Sequence, residues 1–343
     1  MSPSLETPVR ALTAAGLAAA PFTSLEVRGL KKHFIKTSIL PWEKDVNIRA
    51  VDGVNFIVSP GQVVGLVGES GCGKTTLGRM LVRLEDPTEG EILFDGRDLA
   101  RLQGKPLKEF RQRIQMIFQD PYSSLDPRMR IRESVAEPLT VNGIGTAAEQ
   151  AERARILLEQ VGLDGSFAER LPSQLSGGQR QRVVIARALA LGPAIIVADE
   201  PTASLDVSVR AHVINLLRDL QQRNGLSFIY ISHDLSTVRY ICDTINVMYL
   251  GKIVEQAPAE ELFQRPLHPY TQALLAAVPV PDPVLEAERP QTIVTGELPS
   301  PANPPPGCAF HTRCPIAIAR CRDEAPELTM YGPRRSAACH LVE

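Results

Sequence analysis

Residues Gly68-Glu-Ser-Gly-Cys-Gly-Lys-Thr75 fit the spacing G-x-x-x-x-G-K-[ST]. Glycines there let consecutive backbone N–H groups turn inward around phosphate oxygens with no Cβ in the way. Lys74 adds a point charge for the outer phosphates of a nucleotide, and the Thr75 hydroxyl suits Mg²⁺. Gly68, Ser70, Gly71, Gly73, Lys74, Thr75 and Thr76 thus form a candidate loop for the phosphates of a nucleotide, which by itself leaves open a kinase, a GTPase or a transporter motor. A second anion grip is written in Leu175-Ser-Gly-Gly-Gln179. Ser176 and the amides of Gly177 and Gly178 stand where a helix begins, which favours negative charge. One loop already serves this domain's own nucleotide, so the second grip makes sense if it closes on the nucleotide of a neighbouring copy.

Four cysteines, Cys308, Cys314, Cys321 and Cys339, form C-x5-C-x6-C-x17-C. Such a set suits zinc or an iron–sulfur cluster, and the close C-x2-C pairs usual in zinc ribbons are missing. The Ala-rich run 11–25 is weakly apolar and preceded by Glu6 and a single Arg10, so it does not read as a secretory signal. Residues 1–23 are expected to be a mobile extension ahead of the fold. Without export the compartment is reducing, which argues against a disulfide framework. Cys72 and Cys242 stand apart as small side chains, with Cys72 a point of sensitivity to thiol reagents.

These residues need positioning elements. Val63–Val67 (VVGLV) reads as a buried strand, followed by the glycine loop and a helix from about Thr75 to Leu84. Ile195–Ala198 reads as another buried strand. Val209, Val213, Leu216, Leu217 and Leu220 then repeat at helical spacing up to Gly225, and Leu226–Ile231 returns as a strand. Strand, helix, strand in that order predicts a parallel pair and an α/β core. Ala154, Leu157, Leu158 and Val161 mark a separate amphipathic helix.

The chain has 343 residues, 44% hydrophobic and 22% charged, with a net charge of −2. A core is affordable, and no bulk basic charge points to nucleic acid. No apolar stretch reaches the roughly 20 residues a spanning helix needs. Residues 1–257 hold 13 of the 28 prolines and the last 86 residues hold 15. That shift places one domain at about 24–257 and a differently built region at 258–343, with Ala302–Gly307 an irregular connector.

Together these motifs make the sequence resemble the ATP-binding cassette (ABC) family. The resemblance implies an α/β P-loop NTPase cassette: a parallel α/β core, an antiparallel β subdomain and a helical subdomain, here with a small Cys-rich C-terminal extension. It implies roles residue by residue. In Ile196-Val-Ala-Asp-Glu200, Asp199 would hold Mg²⁺ and Glu200 would act as general base. Gln119 matches the loop glutamine that senses Mg²⁺ and touches the membrane partner, and His233 the switch histidine at the γ-phosphate. Asp206 matches the acid of the loop between cassettes, although Ala203-Ser-Leu-Asp stands where Ser-Ala-Leu-Asp is common, which unsettles the contact of Ser204. Phe34 matches the adenine-stacking aromatic.

Met116-Ile-Phe-Gln-Asp-Pro-Tyr-Ser-Ser-Leu-Asp-Pro-Arg128 and His268-Pro-Tyr-Thr-Gln-Ala-Leu-Leu275 narrow the resemblance to the oligopeptide/dipeptide permease ATPases. The form of the first segment and the long Lys36–Arg49 insertion point to their F type. This implies ATP-driven import of peptides, with relatives that handle nickel, glutathione or sugars. It implies as partners a second ATPase subunit, two membrane-spanning permease subunits and an external solute-binding protein, and no nucleic acid. The expected location is the cytoplasmic face of the cell membrane. In that group a set of four cysteines is associated with a [4Fe-4S] cluster. A soluble ABC ATPase working on nucleic acid or ribosomes is the alternative of another class.

Overall fold

In the computed structural model, which describes residues 20–37, 45–278 and 296–342, the chain forms two compact units. One comprises residues 20–23 and 103–228, the other residues 24–102 and the described part of 229–343. The expected N-terminal extension falls outside the described residues up to position 19, as do residues 38–44 of the insertion.

The second unit begins with β1 (Leu25–Lys36) and β2 (Val46–Val58), which pair antiparallel with Leu25 opposite Val58 and Phe34 opposite Ile48. Next, β3 (Val63–Val67) buries all five residues, as its unbroken apolar run requires. Helix α1 (Lys74–Leu81) follows the glycine loop. It stops three residues before the expected end because Arg83 turns left-handed at φ 57°. Arg83 N–H then donates to Met80 O and Leu84 N–H to Arg79 O, a Schellman closure made without glycine. Strands β4 (Glu89–Phe94) and β5 (Arg97–Asp98) complete an antiparallel sheet in the order β2-β1-β4-β5, the β subdomain that the resemblance implied.

The first unit carries α2 (Gly104–Arg113), β6 (Ile114–Ile117), α3 (Ile131–Asn142), α4 (Ala147–Gln160) and α5 (Gly177–Leu189). Helices α3, α4 and α5 pack on one another as the helical subdomain. Thr146 and Glu149 start α4 with a reciprocal capping box, and its face of Ala154, Leu157 and Leu158 with the following Val161 is buried. Strand β7 (Ile195–Asp199) pairs in parallel with β6, Ile114 opposite Ile195 and Ile117 opposite Ala198. Helix α6 (Val207–Asn224) ends at Gly225, left-handed at φ 66°, where the sequence placed its stop.

Strand β8 (Ser227–Ser232) carries the chain into the second unit. There follow α7 (Leu235–Ile241), β9 (Thr244–Tyr249), β10 (Lys252–Pro258), α8 (Ala259–Gln264), α9 (Pro269–Ala276), α10 (Arg320–Asp323), β11 (Thr329–Met330) and β12 (Ser336–Ala337). Within this unit the strand order is β11-β12-β10-β9-β3-β8, with β3 and β9 parallel, Val64 opposite Thr244. Ala302–Gly307 is irregular as expected, but the C-terminal region is not only loop. It lays β12 antiparallel on β10, Glu255 opposite Ala337, and buries Phe310 completely. Sheet pairing therefore anchors a segment that its proline content marked as differently built.

Helix α9 begins at a buried histidine. Burial holds the His268 imidazole down at about 4 while its Nδ1 accepts Tyr270 N–H at 3.0 Å. The unfolded chain takes up a proton near the ordinary value of 6.5, whereas the folded chain resists until pH 4, so stability is lost as pH falls through this window. Between pH 7.5 and 5 the wild type is expected to lose about 2 kcal/mol more than His268→Asn, which keeps a cap but does not titrate. Urea unfolding of both proteins at the two pH values measures it.

Candidate nucleotide site

The glycine loop forms a cradle whose glycines are required by backbone shape. Gly68, Gly71 and Gly73 have φ of 155°, 82° and 107°. A Cβ on Gly68 would stand 2.3 Å from Met248 O, and one on Gly73 only 2.0 Å from Ala50 O. Lys74 opens α1, 5% exposed, and its Nζ donates to Gly68 O at 2.8 Å and Glu69 O at 2.9 Å. The ammonium thus rests on two loop carbonyls; a phosphate oxygen would be a stronger partner for it. Ser70 and Gly71 are exposed at the mouth, while Thr75 and Thr76 sit half-buried in the first turn of α1. Cys72 is 1% exposed and burial pushes its thiol up, which corrects the expected thiol sensitivity: the reactive thiolate is disfavoured. In the same unit Phe34 on β1 keeps 37% of its surface open, enough to offer a ring face, and Lys32 Nζ lies 4.9 Å from its centroid. His233 is exposed between β8 and α7.

The first unit gathers the other group of residues. Asp199 ends β7 and is 3% exposed. Glu200 follows in the left-handed region at φ 46°, a conformation that costs a non-glycine residue about 1 kcal/mol or more and collects at functional sites. Gln119, just past β6, donates from Nε2 to Glu200 Oε2 at 3.0 Å. Parallel pairing of β6 and β7 is what brings these two residues, 81 positions apart, to the same end of adjacent strands. Their side chains hold a carboxylate and an amide side by side, and a carboxylate so placed is able to accept a proton.

Ser176 caps α5: its Oγ accepts Gln179 N–H at 3.3 Å and its own N–H donates to Gln179 Oε1 at 2.9 Å. The serine O–H stays available to donate outward while its oxygen accepts. Gly178 is forced by packing, since a Cβ would lie 2.3 Å from Val209 Cγ1 of α6. Gly178→Ala is therefore expected to destabilise by about 1–3 kcal/mol, with recovery in Gly178→Ala/Val209→Ala. Thermal denaturation of the three proteins reads this. Asp206 is exposed at the start of α6, with Ser204 exposed before it.

Sequence reasoning passed over Glu69. Its carboxylate meets Arg313 Nη1 at 3.0 Å and its N–H donates to Tyr270 Oη at 2.9 Å. Both partners lie more than 200 positions away, so no local signal announces them.

The four cysteines share one neighbourhood. Burial is the main cause that pushes the Cys308 thiol up to about 11, and Cys321, Cys339 and Cys314 each raise it further. Cys308 N–H donates to Cys321 O at 2.8 Å. Soft sulfur donors of this kind fit an iron–sulfur cluster in chemistry. Among the described residues, however, no group of three or more His, Cys, Asp or Glu side chains is drawn together closely enough to hold a metal ion. No helix among them is long and apolar enough to cross a membrane.

Comparison with known proteins gives consistent likenesses. The family described as ABC transporter matches residues 51–203, and that described as oligopeptide/dipeptide transporter, C-terminal region, matches residues 254–321. A Brucella ovis protein with the provisional name of a peptide import ATP-binding protein is 53% identical over 92% of this chain and 96% of its own. The oligopeptide transport ATP-binding protein AppF of Bacillus subtilis is 51% identical over 93% of this chain and 97% of its own. Among solved structures, the dimeric post-hydrolysis state of the cassette MJ0796 bound to ADP and Pi superposes with a TM-score of 0.61 at 32% identity. It covers 68% of this chain and 98% of that one.

Proposed function

Because this chain belongs to the ATP-binding proteins of the ABC transporter family, and carries the C-terminal region of its oligopeptide/dipeptide branch, we propose that it is the ATPase subunit that powers peptide import. Membership makes it an ABC-type ATPase with the cassette fold. The observation that carries the peptide assignment is likeness over more than nine-tenths of the chain to oligopeptide transport ATP-binding proteins, tail included.

In the proposed cycle two cassettes bind ATP head to tail. Phe34 stacks the adenine. The amides from Gly68 to Thr76 and the Lys74 ammonium hold the phosphates, while Ser176, Gly177, Gly178 and Gln179 of a second copy close from the other side. Thr75, Gln119 and Asp199 offer the hard oxygen donors that suit Mg²⁺, which when bound neutralises charge on the triphosphate. Glu200 takes a proton from the attacking water, Gln119 holds that carboxylate in place, and His233 faces the γ-phosphate. Asp206 joins the copies near their loops. Closure requires that ATP bind the closed pair more tightly than the open one, since only differential affinity shifts a population.

The partners in this reading are a second ATPase subunit, two membrane-spanning permease subunits and a solute-binding protein, with the chain on the cytoplasmic face of the membrane. The cassette spans 24–257 and the permease-type region 258–343. ATPase activity of the chain reconstituted with its permease subunits tests it. Stimulation by peptide, and not by nickel, glutathione or sugar, is the expected result; stimulation by one of the others replaces the solute, and none at all removes the import reading. The same reading includes a [4Fe-4S] cluster on Cys308, Cys314, Cys321 and Cys339, supported by the soft sulfur donors these four thiols would supply. Anaerobically purified protein should then absorb broadly near the visible edge, and Cys321→Ser should abolish that absorption; a colourless, iron-free wild type rejects the cluster.

A further inference from the structure

The motif His268-Pro-Tyr270 and the arginine before Cys314 take no part in the nucleotide chemistry above, yet both end on one residue of the phosphate loop. His268 caps α9 and Pro269 fills its first turn. That helix start delivers the fully buried Tyr270 phenol to Glu69, whose N–H donates to Tyr270 Oη at 2.9 Å. Burial pushes the phenol well above its ordinary range, so it stays neutral. Arg313 Nη1 donates to both Glu69 carboxylate oxygens, at 3.1 and 3.0 Å, with the arginine side chain only 8% exposed. The Glu69 carbonyl meanwhile accepts Lys74 Nζ at 2.9 Å. Every polar group of Glu69 is therefore engaged, two of the three by the C-terminal region.

The mounting of these two side chains is stiff. The Tyr270 ring meets that of Tyr249 at 4.7 Å and that of Phe310 at 5.4 Å, the latter three residues before Arg313. A carboxylate in a loop that must accept a polyanion is an electrostatic obstacle, and a guanidinium placed on it removes the repulsion. A loop already held in its binding shape pays less ordering entropy when phosphate arrives.

We propose that Tyr270 and Arg313 are positioning residues for ATP: the C-terminal region clamps Glu69, which cancels its charge and holds the phosphate loop open before nucleotide binds. This rests on the reading of residues 68–75 as an ATP loop. The clamp itself is read without nucleotide, by hydrogen exchange of the 68–75 amides in the full chain. Exchange should quicken in Arg313→Ala and Tyr270→Phe and stay near wild type in Arg313→Lys. Function is read by titration with a fluorescent ATP analogue and by steady-state turnover. Arg313→Ala should raise the dissociation constant and KM roughly tenfold while kcat changes less than about twofold. Adding Glu69→Gln to Arg313→Ala should recover most of that loss, because the uncompensated charge is gone. Unchanged exchange in both variants, or a double variant no better than Arg313→Ala, overturns the clamp. Wild-type protein that fails to bind the analogue overturns the ATP reading instead, and exchange still judges the clamp. If Arg313→Ala does not fold, Tyr270→Phe and Arg313→Lys carry the same comparison.

Discussion

Glu200→Gln protein is expected to bind ATP normally and to hydrolyse it about 10²–10⁴-fold more slowly, the range that a positioned general base contributes. Glutamine preserves the size of the side chain and an oxygen able to accept the Gln119 Nε2 hydrogen bond seen at 3.0 Å. It removes only the capacity to take a proton. The strained φ of 46° at this position is a property of the backbone at the end of β7, so the exchange leaves it in place. Stalled turnover should also lengthen the life of the ATP-bound pair, which size-exclusion chromatography with and without ATP detects as a shift from one copy to two. Normal turnover by this variant would show that Glu200 is not the base.

Lys74→Ala should weaken nucleotide binding about 100-fold. Charge-assisted hydrogen bonds are worth roughly 1.5–3 kcal/mol each, and a single one at the upper end corresponds to that factor. The change has a second cost, because the buried ammonium now satisfies the carbonyls of Gly68 and Glu69. Lys74→Arg should recover charge without recovering the point-like fit of an ammonium between two carbonyls. Equilibrium titration with a fluorescent ATP analogue distinguishes the three proteins. Wild-type affinity in the alanine variant would remove the phosphate-binding role from this lysine.

What could be read in advance was the chemistry that short stretches of backbone dictate. Three loop glycines are needed where φ turns positive at Gly68, Gly71 and Gly73, and the box from Ser176 to Gln179 writes its own helix start. Gly225 ends α6 for the same reason, since sterics within a few residues settle the conformation. The unbroken apolar runs of β3 and β7 announced burial on both faces. By contrast, β11 and β12 are two residues long each and show no period, so they exist only because β10 offers an edge. Gly178 looked like an anion-binding glycine, and only the packed fold shows that Val209 leaves no room for a Cβ. Neither the ion pair of Glu69 with Arg313, 244 positions apart, nor the hydrogen bond from Cys308 N–H to Cys321 O was legible. Local dihedral preferences travel with the sequence, whereas partners for buried charge and unpaired edges are chosen by the chain's return from far away.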